Sequence, residues 1–208
     1  MPKTSSLMSR VLLASLMAMS VLGPAWAQQS PTVRIRGTIE AVDGPLLTVK
    51  SREGTEIKVR LTDNVAVFGV AKTTISEIKP GSYIGVSAMP EPDGTQRALA
   101  VQIFPESQRG VAEGFRPWDL RPNSTMTNAT VAETVAGTDG EIILVKYKDG
   151  EKKVLVPADT PIVSFVAGDR SELKPGARII IFSATRKEDG TLEATRVNVG
   201  RDGITPPM

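Results

Sequence analysis

The sequence predicts an all-β protein of two tandem, homologous, six-stranded small barrels joined by an ordered linker. Three observations carry that expectation. Apolar and polar residues alternate at period two over short segments, as in half-buried strands. Asp-Gly, Glu-Gly and Lys-Pro-Gly turns separate those segments. The whole pattern then recurs at a spacing of 96 residues. That period is too long, and two copies too few, for a solenoid.

The repeat is read from identities. Asp43-Gly44 matches Asp139-Gly140, Val49-Lys50 matches Val145-Lys146, and Asp93-Gly94-Thr95 matches Asp189-Gly190-Thr191. Between them the spacing slips to 95, where Ser76 to Gly81 meets Ser171 to Gly176. A slip that reverses is what loop-length differences leave in a duplicated domain.

The first strand is expected at 33–40. There Val33, Ile35, Gly37 and Ile39 alternate with Arg34, Arg36, Thr38 and Glu40. Further strands are expected at 46–51, 56–61, 65–68, 83–89 and 97–104. The second copy supplies 128–135, 141–147, 153–156, 162–165, 178–185 and 193–199. So many short strands in each copy favour a closed or nearly closed barrel, which removes sheet edges. Residues 73–78 and 169–173 are expected to form single helical turns, each with a capping side chain ahead of a Glu. Lys-Pro-Gly ends both as a type II turn, with Gly81 and Gly176 at positive φ.

The expected limits are an export leader at 1–27, barrels at 28–105 and 127–203, a linker at 106–126 and a tail at 204–208. The linker holds Gly110, Gly114, Pro117 and Pro122 without a clean period, yet also Phe115, Trp118 and Leu120. A flexible spacer would be Gly/Ser-rich, so this one is expected to be ordered. The tail is expected to fray.

The leader has a basic start at Lys3 and Arg10, an apolar run at 11–23, and the small-x-small site Ala25-Trp26-Ala27. That is the form of a cleavable secretory signal. The expected location is therefore periplasmic or secreted. The alternative, an anchored N-terminal helix, fits less well because the run is short. Of 25 basic and 23 acidic residues, the leader holds two of the former and none of the latter, so the chain beyond it is neutral. Neutrality gives no bulk electrostatic case for nucleic acid or an anionic membrane.

The chain has no Cys and no His. Disulfides, Cys- or His-based triads and the usual zinc sites are thereby excluded. An enzyme would have to use Asp, Glu, Lys, Ser, Thr or Tyr. Tyr83, Lys79 and Lys174 are conceivable acid–base groups, but nothing places a nucleophile beside them. The expectation is a non-enzyme without a cofactor.

The repeated pattern resembles an exported bacterial two-domain β-barrel family of unknown function. Its units run Ile/Val-x-x-Val, apolar strand, Leu/Ile-Lys-Pro-Gly, apolar strand, Asp-Gly-Thr-x-x-Ala-x-x-Val. The linker, Gly114-Phe115-Arg116-Pro117-Trp118-Asp119-Leu120 and then Ser124-Thr125-Met126-Thr127-Asn128-Ala129, is the most specific part of the likeness. Some relatives carry a metal-transporter permease label. A chain with no apolar stretch of spanning length beyond the leader does not suit that label. The resemblance implies architecture and location, not an activity.

Arg116, Trp118 and Asp119 are the candidate partner-binding residues, since an aromatic beside Arg is the composition of interface anchors. They could dock another periplasmic or envelope protein, or line a groove between barrels. Equally, Trp118 could plug the seam between barrels while Arg116 pairs with Asp119. Arg34, Arg36, Arg196 and Arg201 could recognise an anion or form a solvated strand face. The Asp-Gly turns could suggest cation sites, but no Asp-x-Asp-x-Asp-Gly run gathers enough oxygens, and hairpin turns explain them. Small OB-like barrels often bind oligonucleotides, but stacking needs exposed aromatics among basic residues. Here most aromatics sit inside apolar runs. The sequence reads as a non-catalytic periplasmic binding or scaffold module. The alternative is a small-ligand or metal-ion chaperone using the groove between barrels.

Overall fold

The computed structural model describes residues 32–208, and the expected leader lies outside them. Twelve strands follow in chain order. The first half holds β1 (Thr32–Asp43), β2 (Leu46–Ser51), β3 (Glu56–Lys72), β4 (Tyr83–Pro90) and β5 (Gln96–Ile103). The linker forms β6 (Gly114–Pro117). The second half holds β7 (Thr125–Gly137), β8 (Gly140–Tyr147), β9 (Gly150–Val156), β10 (Ile162–Ala167), β11 (Arg178–Arg186) and β12 (Leu192–Gly200). The protein is all-β, as expected. Among the described residues no helix is long and apolar enough to cross a membrane.

The strands do not close half by half. Hydrogen bonding runs β12-β11-β1-β2-β3, and β12 then pairs in parallel with β3 to close a five-stranded ring. A second ring runs β5-β4-β7-β8-β9 and closes by a parallel β5–β9 pairing, β10 bridges β3 and β5 between the rings, and β6 pairs with β7. Each ring therefore takes three strands from one half and two from the other. This corrects two expectations at once, the six-stranded barrels and the division of the chain at 105 and 127.

The reason lies in β3. Residues 56–61 and 65–68, expected as separate strands, are one 17-residue strand. At ~3.3 Å per residue that is about 56 Å, far longer than a small ring needs. Its first half pairs with β2 and its last residues with β10, while β12 runs beside both halves, from Leu192↔Val59 to Gly200↔Val70. It thus carries the chain out of one ring toward the other. In the second copy Pro157 and Pro161 interrupt the counterpart, because proline cannot donate to a ladder, and it splits into β9 and β10.

The β3–β10 ladder is its own image under the repeat. Moving each partner of Gly69–Val166 by the repeat spacing gives Phe165–Val70, which is in the same register. The last two strands of each half thus complete the ring begun by the first three strands of the other.

Two cores result, each mixing the halves. Ile35, Leu47 and Val59 pack with Ile179, Ile181 and Val197 in the first ring. Ile84, Val86 and Val101 pack with Ile143, Val145 and Val154 in the second. The single helical turns form at Ile75–Glu77 and Arg170–Glu172, and the second has a full capping box from Asp169 and Glu172. Just beyond them, Ile78 enters the second ring's core and Leu173 the first's. Gly81 and Gly176 follow at φ 88° and 87°.

The tail does not fray. Met208 is buried against Met126, Ile180 and Trp118. Arg178 donates to the Gly203 oxygen at 2.6 Å and Arg52 to the Pro206 oxygen at 3.0 Å. The alternation of β1 had shown Arg36 on an outward face, but that face is covered: Arg36 Nε donates to the Met208 oxygen at 2.6 Å.

Candidate functional site

The outer surfaces of the two rings meet along a seam, and the linker crosses it. The linker is ordered, as expected: β6 pairs with β7 from Gly114↔Asn128 to Pro117↔Thr125. A tight loop follows. Trp118 N–H donates to the Ser124 oxygen at 2.7 Å, and the buried Ser124 hydroxyl donates back to the Trp118 oxygen at 3.0 Å. This loop holds Trp118 and Asp119 against β1.

Asp119 takes both β1 arginines. Arg34 Nη1 lies 2.6 Å from its Oδ1, and Arg36 binds it with two nitrogens at 2.7 and 3.2 Å. Partial burial pushes the Asp119 carboxyl up, but hydrogen bonds from Arg36 and Arg34, and their charges, outweigh this and bring it to about 2. The expected Arg116–Asp119 pair is not formed. Arg116 extends the other way and donates to the Ala112 oxygen at 2.8 Å. Burial, and then repulsion from Arg34, lowers its pKa.

Trp118 is half-buried and does not fully plug the seam. The Arg34 guanidinium lies 3.6 Å above its ring, a close cation–π contact. Its other neighbour is Phe182, at a ring separation of 6.3 Å. Phe182 leads to Phe165 at 6.4 Å, Phe165 to Phe104 at 5.6 Å, and Phe104 to Tyr83 at 5.3 Å. This aromatic chain runs from one ring to the other.

Beside it lies a cleft of about 440 Å³ with walls from both rings and the linker. Arg34, Arg116 and Arg196 line it, and no acidic residue does. Two buried amides, Gln102 and Asn128, each 3% exposed, also line it. They meet over Gly85, which lies in register with both; a Cβ there would come within 2.6 Å of Gln102 Nε2 and 2.9 Å of Asn128 Oδ1. Asn128 Nδ2 donates to the Val111 oxygen at 3.0 Å, which fixes the amide and leaves Oδ1 free. Four side-chain atoms of the lining residues are buried without a partner: the donors Arg34 Nε and Trp118 Nε1, and the acceptors Gln102 Oε1 and Asn128 Oδ1. Such atoms in a folded protein call for a specific reason.

The conceivable acid–base groups are not brought together. Tyr83 donates its hydroxyl to the Val111 oxygen, and burial above all pushes its pKa up to about 12. Lys79 and Lys174 are exposed in the type II turns. Asp93 and Asp189 accept from Thr95 and Thr191 in equivalent turns. Among the described residues no three acidic side chains converge as a cation site needs. Arg201 is paired with Glu172 at 2.8 Å, away from the cleft.

Sequence reasoning missed Gln102, Asn128, Phe104 and Phe165. A signal existed in the repeat. Phe104 and Phe165 stand where the other copy has Gly200 and Gly69. The aromatic wall is thus not repeated between the two copies, although Phe104 and Phe165 also pack in a buried cluster with Val70, Tyr83 and Val163. No family model, curated protein or solved structure matches the chain.

Proposed function

We propose that this chain is an exported, non-catalytic binding module that takes up a small organic ligand in the cleft between its rings. The observation that carries the reading is the set of four unpartnered buried polar atoms around one aromatic-walled cleft. A concave, largely apolar site with a few convergent polar groups is the usual form of a small-molecule site. Export rests on the leader read in the sequence. An OB-like reading of the first ring is supported by its strand order, 1-2-3-5-4, with the third and fifth parallel and a single helical turn before the fourth.

Native mass spectrometry of protein released from the periplasm tests this. The expected result is a small-molecule adduct that is lost when the cleft is filled by Ser183→Trp, an exposed lining position. An adduct-free wild type overturns it.

A second reading, docking of an envelope protein on the linker, has support from Phe115 and Val111, both 39% exposed. A periplasmic pull-down compared between wild type and Phe115→Ser tests it. Equal recovery of every partner overturns it.

A further inference from the structure

The polar atoms of the cleft are sorted by kind. The unpartnered donors, Arg34 Nε and Trp118 Nε1, belong to the linker–β1 side, where Arg116 also stands. The unpartnered acceptors, Gln102 Oε1 and Asn128 Oδ1, belong to the row across β5, β4 and β7. Phe104, Phe165 and Phe182 line the same cleft. Resting on the reading that the cleft binds a small molecule, we propose that its ligand is an organic acid of about one aromatic ring. Its carboxylate faces Arg34, Arg116 and Trp118, and an O–H or N–H faces Gln102 and Asn128.

The charge balance supports the acid. Arg34, Arg36 and Arg116 converge on the Trp118 ring at 3.6, 6.0 and 5.6 Å. One carboxylate, Asp119, answers Arg34 and Arg36. Among the described residues Arg116 and Arg196 form no ion pair; their acceptors are the neutral Ala112 oxygen and Gln108 Oε1. A planar carboxylate suits such guanidinium and indole donors. The donor requirement at the far end follows from the acceptors. A bound apolar group would leave both carbonyl oxygens buried and unpaired, and such atoms are costly in a water-poor site.

Isothermal titration at pH 7 with four probes tests the proposal: 4-hydroxyphenylacetate, phenylacetate, the neutral 2-(4-hydroxyphenyl)ethanol, and the cation tyramine. The hydroxylated acid should bind tightest. Loss of the hydroxyl or of the carboxylate should each weaken binding by ~10-fold or more, and tyramine should not bind. Arg116→Gln should abolish the preference for acid over alcohol. Gln102→Met, which keeps side-chain volume, should abolish the preference for hydroxyphenyl over phenyl. If the alcohol binds as tightly as the acid and Arg116→Gln changes nothing, the organic-acid assignment falls while small-molecule binding stands. If no probe of any charge binds, the organic-acid assignment falls, and an adduct-free wild type in native mass spectrometry brings down the small-molecule reading as well.

Discussion

The Arg34 guanidinium stacks 3.6 Å above the Trp118 ring and at the same time holds Asp119 at 2.6 Å. One strand residue thus fixes two consecutive linker residues. The linker is thereby latched to the first ring while β6 ties it to the second ring through β7. The arrangement of the rings depends on this latch as well as on the exchanged strands.

Asp119→Asn should weaken the latch in a pH-dependent way. The carboxyl titrates at about 2 in the folded chain against an ordinary 3.8. Between those values the unfolded chain binds more protons, so stability rises with pH there. The wild-type advantage over Asp119→Asn should be full above about pH 4 and should fade toward pH 2. About half of the Asp119 side chain is exposed, so screening limits the advantage to about 1 kcal/mol or less. Urea melts of both chains across pH 2–6 check this. A constant difference at every pH would show that the ion pair is not its source.

Trp118→Ala should cost about 2 kcal/mol, below the 3–5 kcal/mol of a fully buried tryptophan, because the ring is half-buried. Arg34→Leu should itself destabilise, since it removes both the cation–π contact with Trp118 and the bond to Asp119. Denaturant melts measure both. Limited proteolysis should cut the linker of Trp118→Ala first.

Removing residues 204–208 should destabilise by about 2 kcal/mol or more, since Met208 is buried in the seam. An unaltered melting temperature would contradict the tail packing.

Gly81→Val and Gly176→Val should each destabilise by at least ~1–2 kcal/mol. Both positions have φ near 87–88° with open space around a Cβ, so the effect is backbone strain and not a clash. Gly→Asn at the same sites should be milder, because Asn tolerates left-handed φ. Thermal melts of the four variants decide it.

Residues 32–105 and 106–208 produced as separate chains should each fail to form a folded monomer, since each lacks strands of both rings. Co-expressed, they should assemble 1:1. Analytical ultracentrifugation and circular dichroism check both statements. Either fragment folding alone as a monomer would show that the strand exchange is not required.

The strands, their turns and their duplication were legible in the sequence because each is a local property. Alternation at 33–40, Asp-Gly hairpins and Lys-Pro-Gly turns need only a few neighbouring residues to state their preference. The ordered linker was legible too, from Phe115, Trp118 and Leu120 among turn formers. Which ring a strand joins was not, because β5 and its counterpart β12 share the pattern Ala-x-x-Val and local alternation does not say which pairs with β3 and which with β9. That choice follows from the continuous extension of β3 through Thr62, Asp63 and Asn64, residues that locally read as a turn. Tertiary structure also decided the face of Arg34 and Arg36. Alternation put them outside the first ring, and only the docking of a second ring, a linker and a tail turned that outside into a covered seam. The buried amides Gln102 and Asn128 are of the same kind. Each looks like an ordinary polar residue of a strand until the fold sets Gly85 between them and a cleft in front of them.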